Sequence, residues 1–312
     1  MKTILAINNS PYYYFRPSNQ RSIGYSLPLT DRIVSKLSEI MARITDDMEA
    51  SLVPGIQLGS ESDRAIMNKG KIDSLRKIAK EKGIEYIVHL PDQLVPGTYI
   101  KRGFQERLLG LIQGAHGKDK NDFEREVCKR ISAASELGSK YMVLHLPNGP
   151  LEDPSTIKDY LGGCIKDLLN ETGICICIEN CNNKHGPYYG DIGRLSELVS
   201  DLGNPYEMCF DYGHYLVDGD GRKIEDARSL CSWARVLHVH INDRAADRHL
   251  LLGERPRGLD CEVLEKVEKD YIEGFLPFID PDGKVFVLER NKPFSYGQLR
   301  ASAEKLVNAL SL

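Results

Sequence analysis

Six short apolar runs, each closed by an acid or a histidine, recur along the chain. They read Tyr86-Ile-Val-His89, Tyr141-Met-Val-Leu-His145, Cys175-Ile-Cys-Ile-Glu179, Met208-Cys-Phe-Asp211, Val236-Leu-His-Val-His240 and Val285-Phe-Val-Leu-Glu289. A run this short, bounded by polar residues, is the pattern of a parallel strand buried on both faces. When parallel strands close into a barrel, their carboxyl ends open on one face, where the active site is built. Residues spread over some 200 positions of sequence then converge on one pocket.

The candidate strands are Thr3–Ile7, Gly55–Leu58, Tyr86–His89, Tyr141–His145, Ile174–Glu179, Glu207–Asp211, Val236–His240 and Val285–Glu289. Between them, apolar residues recur at three- and four-residue spacing, the period of an amphipathic helix. Ile33, Leu37, Ile40 and Ile44 mark one helix, Ile72, Leu75 and Ile78 a second, and Val127, Ile131, Ala134 and Leu137 a third. Further helices fit Ile157–Leu169, Ile192–Leu202, Ile224–Trp233, Leu259–Phe275 and Tyr296–Leu310. Gly83, Gly138 and Gly203 follow three of these segments, where a helix favours a left-handed end residue. Strands alternating with helices indicate an α/β protein, a (β/α)8 TIM barrel forming one domain over residues 1–312. A doubly wound open sheet is the alternative. The length of 312 residues suits a barrel of about 250 residues with insertions. Two long connections, at about 8–30 and 90–121, overhang the pocket on this architecture, and long loops in compact domains are usually functional or mobile.

Composition excludes several classes. A net charge of -4 provides no global attraction to nucleic acid, so a DNA-binding function needs a local basic patch. The apolar run near Met1 is too short for a signal-peptide core, and no stretch approaches the roughly 20 apolar residues of a membrane span. Eight cysteines without paired-motif spacing point to reduced thiols. The expectation is a cytoplasmic protein without membrane association.

Nine residues at or just beyond the strand ends are candidate metal ligands: His89, His145, Glu179, Asp211, His214, His240, Asp247, His249 and Glu289. Imidazole with carboxylate suits zinc, manganese or iron, and no cysteine closes these runs. Asp211-Tyr-Gly-His214 places two ligand types at a strand end and the start of its loop. In Asp247-Arg-His249 the outer residues point the same way if the segment is extended. Singly, each has an ordinary structural explanation, as a hydrogen-bonded histidine or a helix cap. Together, so many ionisable groups in one mouth are costly without a cation.

With these residues in place, the chain resembles endonuclease IV and, more broadly, the xylose isomerase-like TIM-barrel superfamily, also described as AP endonuclease family 2. The resemblance runs from about Gly55 to Glu289. The superfamily pattern, shared by sugar isomerases and epimerases, uses Glu179, Asp211, His240 and Glu289. The endonuclease IV pattern adds His89 in Ile-Val-His-Leu-Pro, His145 in Val-Leu-His-Leu-Pro, His214 in Asp-Tyr-Gly-His, and Asp247 and His249 in Asp-Arg-His-Leu-Leu-Leu-Gly-Glu. The resemblance implies up to three divalent metal ions, zinc first, with manganese or iron as alternatives. One is held by His89, His145 and Glu179, a second by Glu179, Asp211, His240 and Glu289, and a third by His214, Asp247 and His249. It implies phosphoester hydrolysis, with damaged DNA among the substrates and Glu179 and Glu289 as the catalytic carboxylates. A metal-dependent sugar isomerase or epimerase of the same superfamily is the alternative. The chain departs from the endonuclease pattern at Asn8-Asn9-Ser10 and at Arg255-Pro-Arg257.

Three further residues are candidate substrate contacts. Tyr13 and Arg16, in Pro11-Tyr-Tyr-Tyr-Phe-Arg-Pro17, can stack on bases or a sugar ring, or pack over the barrel mouth. Arg248 can meet a substrate phosphate or pair with a nearby acid. The cluster from Lys101 to Lys120 can track phosphates or remain solvated charge. Alternation places Cys175, Cys177 and His238 on the inward face, the cysteines as small core residues and His238 as a group supporting the metal ligands.

Overall fold

The computed structural model describes residues 2–9, 31–48, 52–59, 66–91, 120–146, 154–181, 191–217, 223–243, 245–246, 248–290 and 294–312. Eight parallel strands, β1 (Thr3–Asn9), β2 (Leu52–Leu58), β3 (Glu85–His89), β4 (Tyr141–His145), β5 (Cys175–Glu179), β6 (Tyr206–Asp211), β7 (Val236–Val239) and β8 (Val285–Leu288), pair in sequence order. The barrel closes where Ile4 of β1 pairs with Val285 of β8. An open sheet is thereby excluded.

Among the described residues ten helices accompany the strands. They are α1 (Asp31–Asp47), α2 (Lys69–Lys82), α3 (Lys120–Leu137), α4 (Pro154–Leu161), α5 (Gly163–Thr172), α6 (Ile192–Leu202), α7 (Tyr212–Leu216), α8 (Ile224–Cys231), α9 (Cys261–Gly274) and α10 (Tyr296–Ala309). Local chemistry sets several of their ends. Asn68, Asp191 and Asp260 accept backbone N–H groups at helix starts, and Ser295 with Gln298 forms a reciprocal capping box. Gly83 ends α2 in the left-handed conformation expected of it.

Two boundaries differ from the sequence reading for identifiable reasons. The helix expected over Ile157–Leu169 is two helices, because Gly162 takes an extended conformation and Gly163 sits at φ +54°. Strand β2 begins at Leu52 rather than Gly55. Pro54 is tolerated there because this part of β2 pairs with β1 only, and the β3 ladder begins at Gly55.

The alternation of side chains divides the core into two layers. Ile4, Ala6, Ile87, Val143, Cys177, Cys209, Val236, Val285 and Val287 fill the barrel interior, with Cys175 packed against them. The intervening residues, such as Leu5, Ile7, Val88, Leu144, Ile178 and Leu237, face outward into the layer shared with the helices. Both cysteines of β5 therefore serve as small core residues, and all eight cysteines of the chain are free thiols. Among the described residues no helix is long and apolar enough to cross a membrane.

Candidate metal centre

The same period of two that fills the barrel interior delivers the site. On β3, β4, β5 and β6 the inward residues after Ile87, Val143, Cys177 and Cys209 are His89, His145, Glu179 and Asp211. His240 and Glu289 follow β7 and β8 in the same phase. His214 arrives differently. Asp211 caps the short helix α7 by accepting the His214 N–H at 2.7 Å, and that one turn swings the imidazole back over β5 and β6. Only a glycine fits between them. A Cβ at Gly213 would lie 2.0 Å from His240 Cε1, so the imidazole of His240 rests on the bare backbone of α7.

The geometry forms three neighbouring groups. Glu179 Oε2 receives His145 Nε2 at 2.8 Å and His89 Nε2 at 3.2 Å. Asp211 Oδ2 lies 2.9 Å from His240 Nε2, and Glu289 Oε2 lies 3.9 Å from the same nitrogen. His214, His240 and His249 form the third, with the His240 and His249 rings stacked at 4.3 Å between centroids. Within each of the groups His89–His145–Glu179, Asp211–His240–Glu289 and His214–His240–His249, the ligand-type atoms lie within 4.8 Å of one another. The carboxylates and His240 are buried, while His89, His145 and His249 keep 12%, 20% and 18% of their side chains exposed.

Supporting hydrogen bonds orient these side chains. His89 Nδ1 donates to the Leu90 carbonyl at 2.9 Å, which leaves Nε2 for the centre. His214 Nδ1 donates to the Asn180 carbonyl at 3.1 Å. Asn180 in turn exchanges two hydrogen bonds with the Asp211 backbone, at 2.8 and 2.7 Å, and so ties the ends of β5 and β6 together. Asn242 donates to the Gly213 carbonyl. Beneath the carboxylates, Gln57 bridges Glu289 and His238.

His249 is placed by a clasp outside the strands. Its loop returns through an antiparallel bridge between Ile241 and Leu250. Arg290 donates to the His249 carbonyl at 3.3 Å and pairs with Glu254 at 2.5 Å. Glu268 of α9 accepts the Gly253 N–H at 3.0 Å and pairs with Arg255 at 2.7 Å and with Lys305 of α10. His249 itself has φ +45°, an uncommon conformation for a residue with a Cβ.

Burial alone would push the Glu179 and Asp211 carboxyls up. The charges of His145 and His238 on Glu179, and of His214 and His240 on Asp211, outweigh it and hold both below the usual carboxylate range. Glu289 is likewise brought down to about 2: burial opposes, and His238 and His249 overcome it. Acids kept ionised at the bottom of a pocket among imidazoles form a ligand set for a divalent cation. The donors are nitrogen and oxygen, converge from separate strands and have oriented partners. They fit zinc, manganese or iron. The structure therefore supports metal binding.

Of the residues singled out in the sequence, His89, His145, Glu179, Asp211, His214, His240, His249 and Glu289 come together. Asp247, Tyr13 and Arg16 lie outside the described residues, as do residues 10–30 and 92–119 of the two long connections. Lys120, counted with the second connection, instead opens α3 and pairs with Asp159 at 2.6 Å. Arg248 takes the second of its two options, an ion pair with Asp243 at 3.1 Å. The sequence reading missed Gln57, Asn180, Asn242 and Arg290. Gln57 had a usable signal: in Gly55-Ile-Gln-Leu58 it is the polar residue between two outward-facing apolar ones.

Comparison with known proteins is consistent with this architecture. The family model described as xylose isomerase-like TIM barrel matches residues 53–276. A search of the curated proteins finds no match. Solved structures with the same fold include a D-tagatose 3-epimerase-like protein, at 17% identity, TM-score 0.58, covering 100% of this chain and 98% of that one. The IolI protein with a bound zinc atom matches at 14% identity and TM-score 0.60, covering 100% and 98%. Endonuclease IV from Thermus thermophilus matches at 16% identity and TM-score 0.54, covering 98% of each chain. At such identities the likeness concerns the fold.

Proposed function

This chain belongs to the family of xylose isomerase-like TIM barrels, and from that premise we propose that it is a metal-dependent phosphodiesterase of the endonuclease IV kind. One observation carries the reading. The site holds more ligands than the four-residue set Glu179, Asp211, His240 and Glu289. His89 and His145 converge on one oxygen of Glu179, and His214 and His249 gather beside His240. In a sugar isomerase with a single metal these four histidines would serve as hydrogen-bonding groups and not as ligands.

In this reading His89, His145 and Glu179 hold one ion, Glu179, Asp211, His240 and Glu289 a second, and His214, Asp247 and His249 a third. Zinc is the first choice for all three. When bound, such ions supply an activated water and neutralise charge on the attacked phosphate. The protein's own part is placement. Glu179 faces two groups at once, with Oε2 toward His89 and His145 and Oε1 toward His214 and His238. Glu289 is held through Oε1 by Gln57, and its Oε2 on the His249 side is the group that orients the attacking water. Arg248 reaches a substrate phosphate by leaving Asp243, and Tyr13 and Arg16 contact the remainder of the substrate. An abasic duplex is the substrate to test first.

The alternative is a sugar isomerase or epimerase with one divalent ion. It is favoured by the pair Glu179 and Glu289, which approach the same nitrogen of His238 at 3.2 and 3.6 Å and can shuttle a proton across a bound sugar. Elemental analysis of unsupplemented protein, with cleavage of an abasic duplex measured beside a sugar panel, separates the two. Near three ions per chain with duplex cleavage supports hydrolysis, and near one ion with sugar turnover supports isomerisation. His89→Ala and His249→Ala each abolish hydrolysis on the first reading; full turnover in both variants defeats it.

A further inference from the structure

We propose that His238 is an additional ligand of the cation held by Glu179, Asp211 and Glu289, and that Gln57 is the positioning residue that aims it. The proposal rests on the metal-centre reading above and holds whether the substrate is a phosphoester or a sugar.

His238 is fully buried on β7, in phase with His240 and one inward position below it. Its two nitrogens have different surroundings. Nε2 lies 2.9 Å from Gln57 Oε1, and Gln57 Nε2 lies 3.2 Å from Glu289 Oε1. An ionised carboxylate only accepts hydrogen bonds, so the amide nitrogen of Gln57 must face Glu289. Its carbonyl oxygen then faces His238 and accepts its Nε2–H, in the neutral imidazole and in the imidazolium alike. Nδ1 is thereby left to carry either a proton or a metal ion.

Nδ1 points among carboxylates. Nδ1 lies 3.2 Å from Glu179 Oε1, 3.6 Å from Glu289 Oε1 and 3.7 Å from Asp211 Oδ2, three oxygens brought by three different strands. Surrounded by anionic oxygens, Nδ1 needs a positive partner, either a proton or a metal ion that replaces it. His238 thus approaches the same three carboxylates assigned above to the second ion. His238 also belongs to a distinct group with Glu179 and Cys209 whose ligand-type atoms lie within 4.8 Å of one another. Gln57 thus does for His238 what a carbonyl oxygen does for His89: it holds one ring proton and leaves the other nitrogen for the ion.

The test uses the full chain loaded with zinc. A crystal structure is expected to place His238 Nδ1 about 2.0–2.1 Å from an ion. Nδ1 still hydrogen-bonded to Glu179, with no ion at bonding distance, overturns the proposal. Competition against a chromogenic zinc chelator gives an independent readout. His238→Ala should weaken one ion by more than about 100-fold, beyond the 10- to 100-fold that loss of a supporting partner costs, and Gln57→Leu should fall within that range. A loss in His238→Ala of 100-fold or less reduces it to a supporting residue and overturns the proposal. If His238→Ala does not fold, the structure of the parent decides. A parent that binds no zinc overturns both this proposal and the metal-centre reading. Zinc bound without His238 overturns this proposal alone.

Discussion

The floor and the rim of the centre are built by different means. Glu179, Asp211, His240 and Glu289 are carried at or directly beyond strand ends in a closed barrel, buried and cross-braced by Gln57, His238 and Asn180. His249 is carried by a loop and placed by ion pairs to side chains far away in sequence. Strand-borne ligands inherit their positions from the hydrogen-bonded ladder. A loop-borne ligand has only its clasp, so the rim can be detached while the floor is kept.

The largest expected effect comes from the residue shared by two groups of the floor. Glu179→Gln should remove the first two ions and cut turnover by about 10³-fold or more, several kcal/mol of charge stabilisation. Elemental analysis and a steady-state assay check it, and retention of the full metal complement would break the comparison.

Arg290→Met should act on the rim. Removing one partner of the buried Arg290–Glu254 pair leaves an uncompensated charge worth about 3–5 kcal/mol. Denaturant unfolding measures that loss, and metal analysis should show the third ion gone with the other two retained. The double variant Arg290→Met, Glu254→Gln should recover part of the stability, since neither charge is then left buried alone. Loss of all three ions from the single variant would mean that floor and rim are one unit.

Gly213→Ala tests their junction. The new methyl collides with His240, and overpacking of this kind costs about 1–3 kcal/mol. The shift in the unfolding midpoint measures it, and a change below about 0.5 kcal/mol would show that His240 moves aside freely.

The smallest effect is a change in slope. Glu289 falls from an ordinary 4.5 to about 2 in the folded protein. A depressed acid stabilises the fold fully above its unfolded value and loses that contribution as pH falls through its folded value. The metal-free protein should therefore lose stability progressively between about pH 5 and pH 2, and Glu289→Gln should flatten that limb. Urea midpoints across that range decide the matter; an unchanged slope would remove Glu289 from the account.

The barrel and most of the ligand set were legible because both follow from one regularity. Apolar runs specified β3 to β8, and the residue ending each run inherited an inward direction from the alternation of the strand. That is why Glu179, Asp211 and Glu289 were visible before any coordinates. Gln57 obeyed the same rule and was overlooked because a neutral amide carries no charge to mark it. The break at Gly162-Gly163 was hidden because apolar residues continue in phase across it.

Chain order and local periodicity alone determined that this protein is an α/β barrel with acids and histidines at one mouth, since strand pleat and helix pitch are properties of short segments. Which groups share an oxygen, which nitrogen of His238 faces the carboxylates, and how Arg290 anchors His249 were decided by the tertiary structure. Those relations join residues up to 232 positions apart, as Gln57 and Glu289 are. Only closure of the barrel brings them within hydrogen-bonding reach.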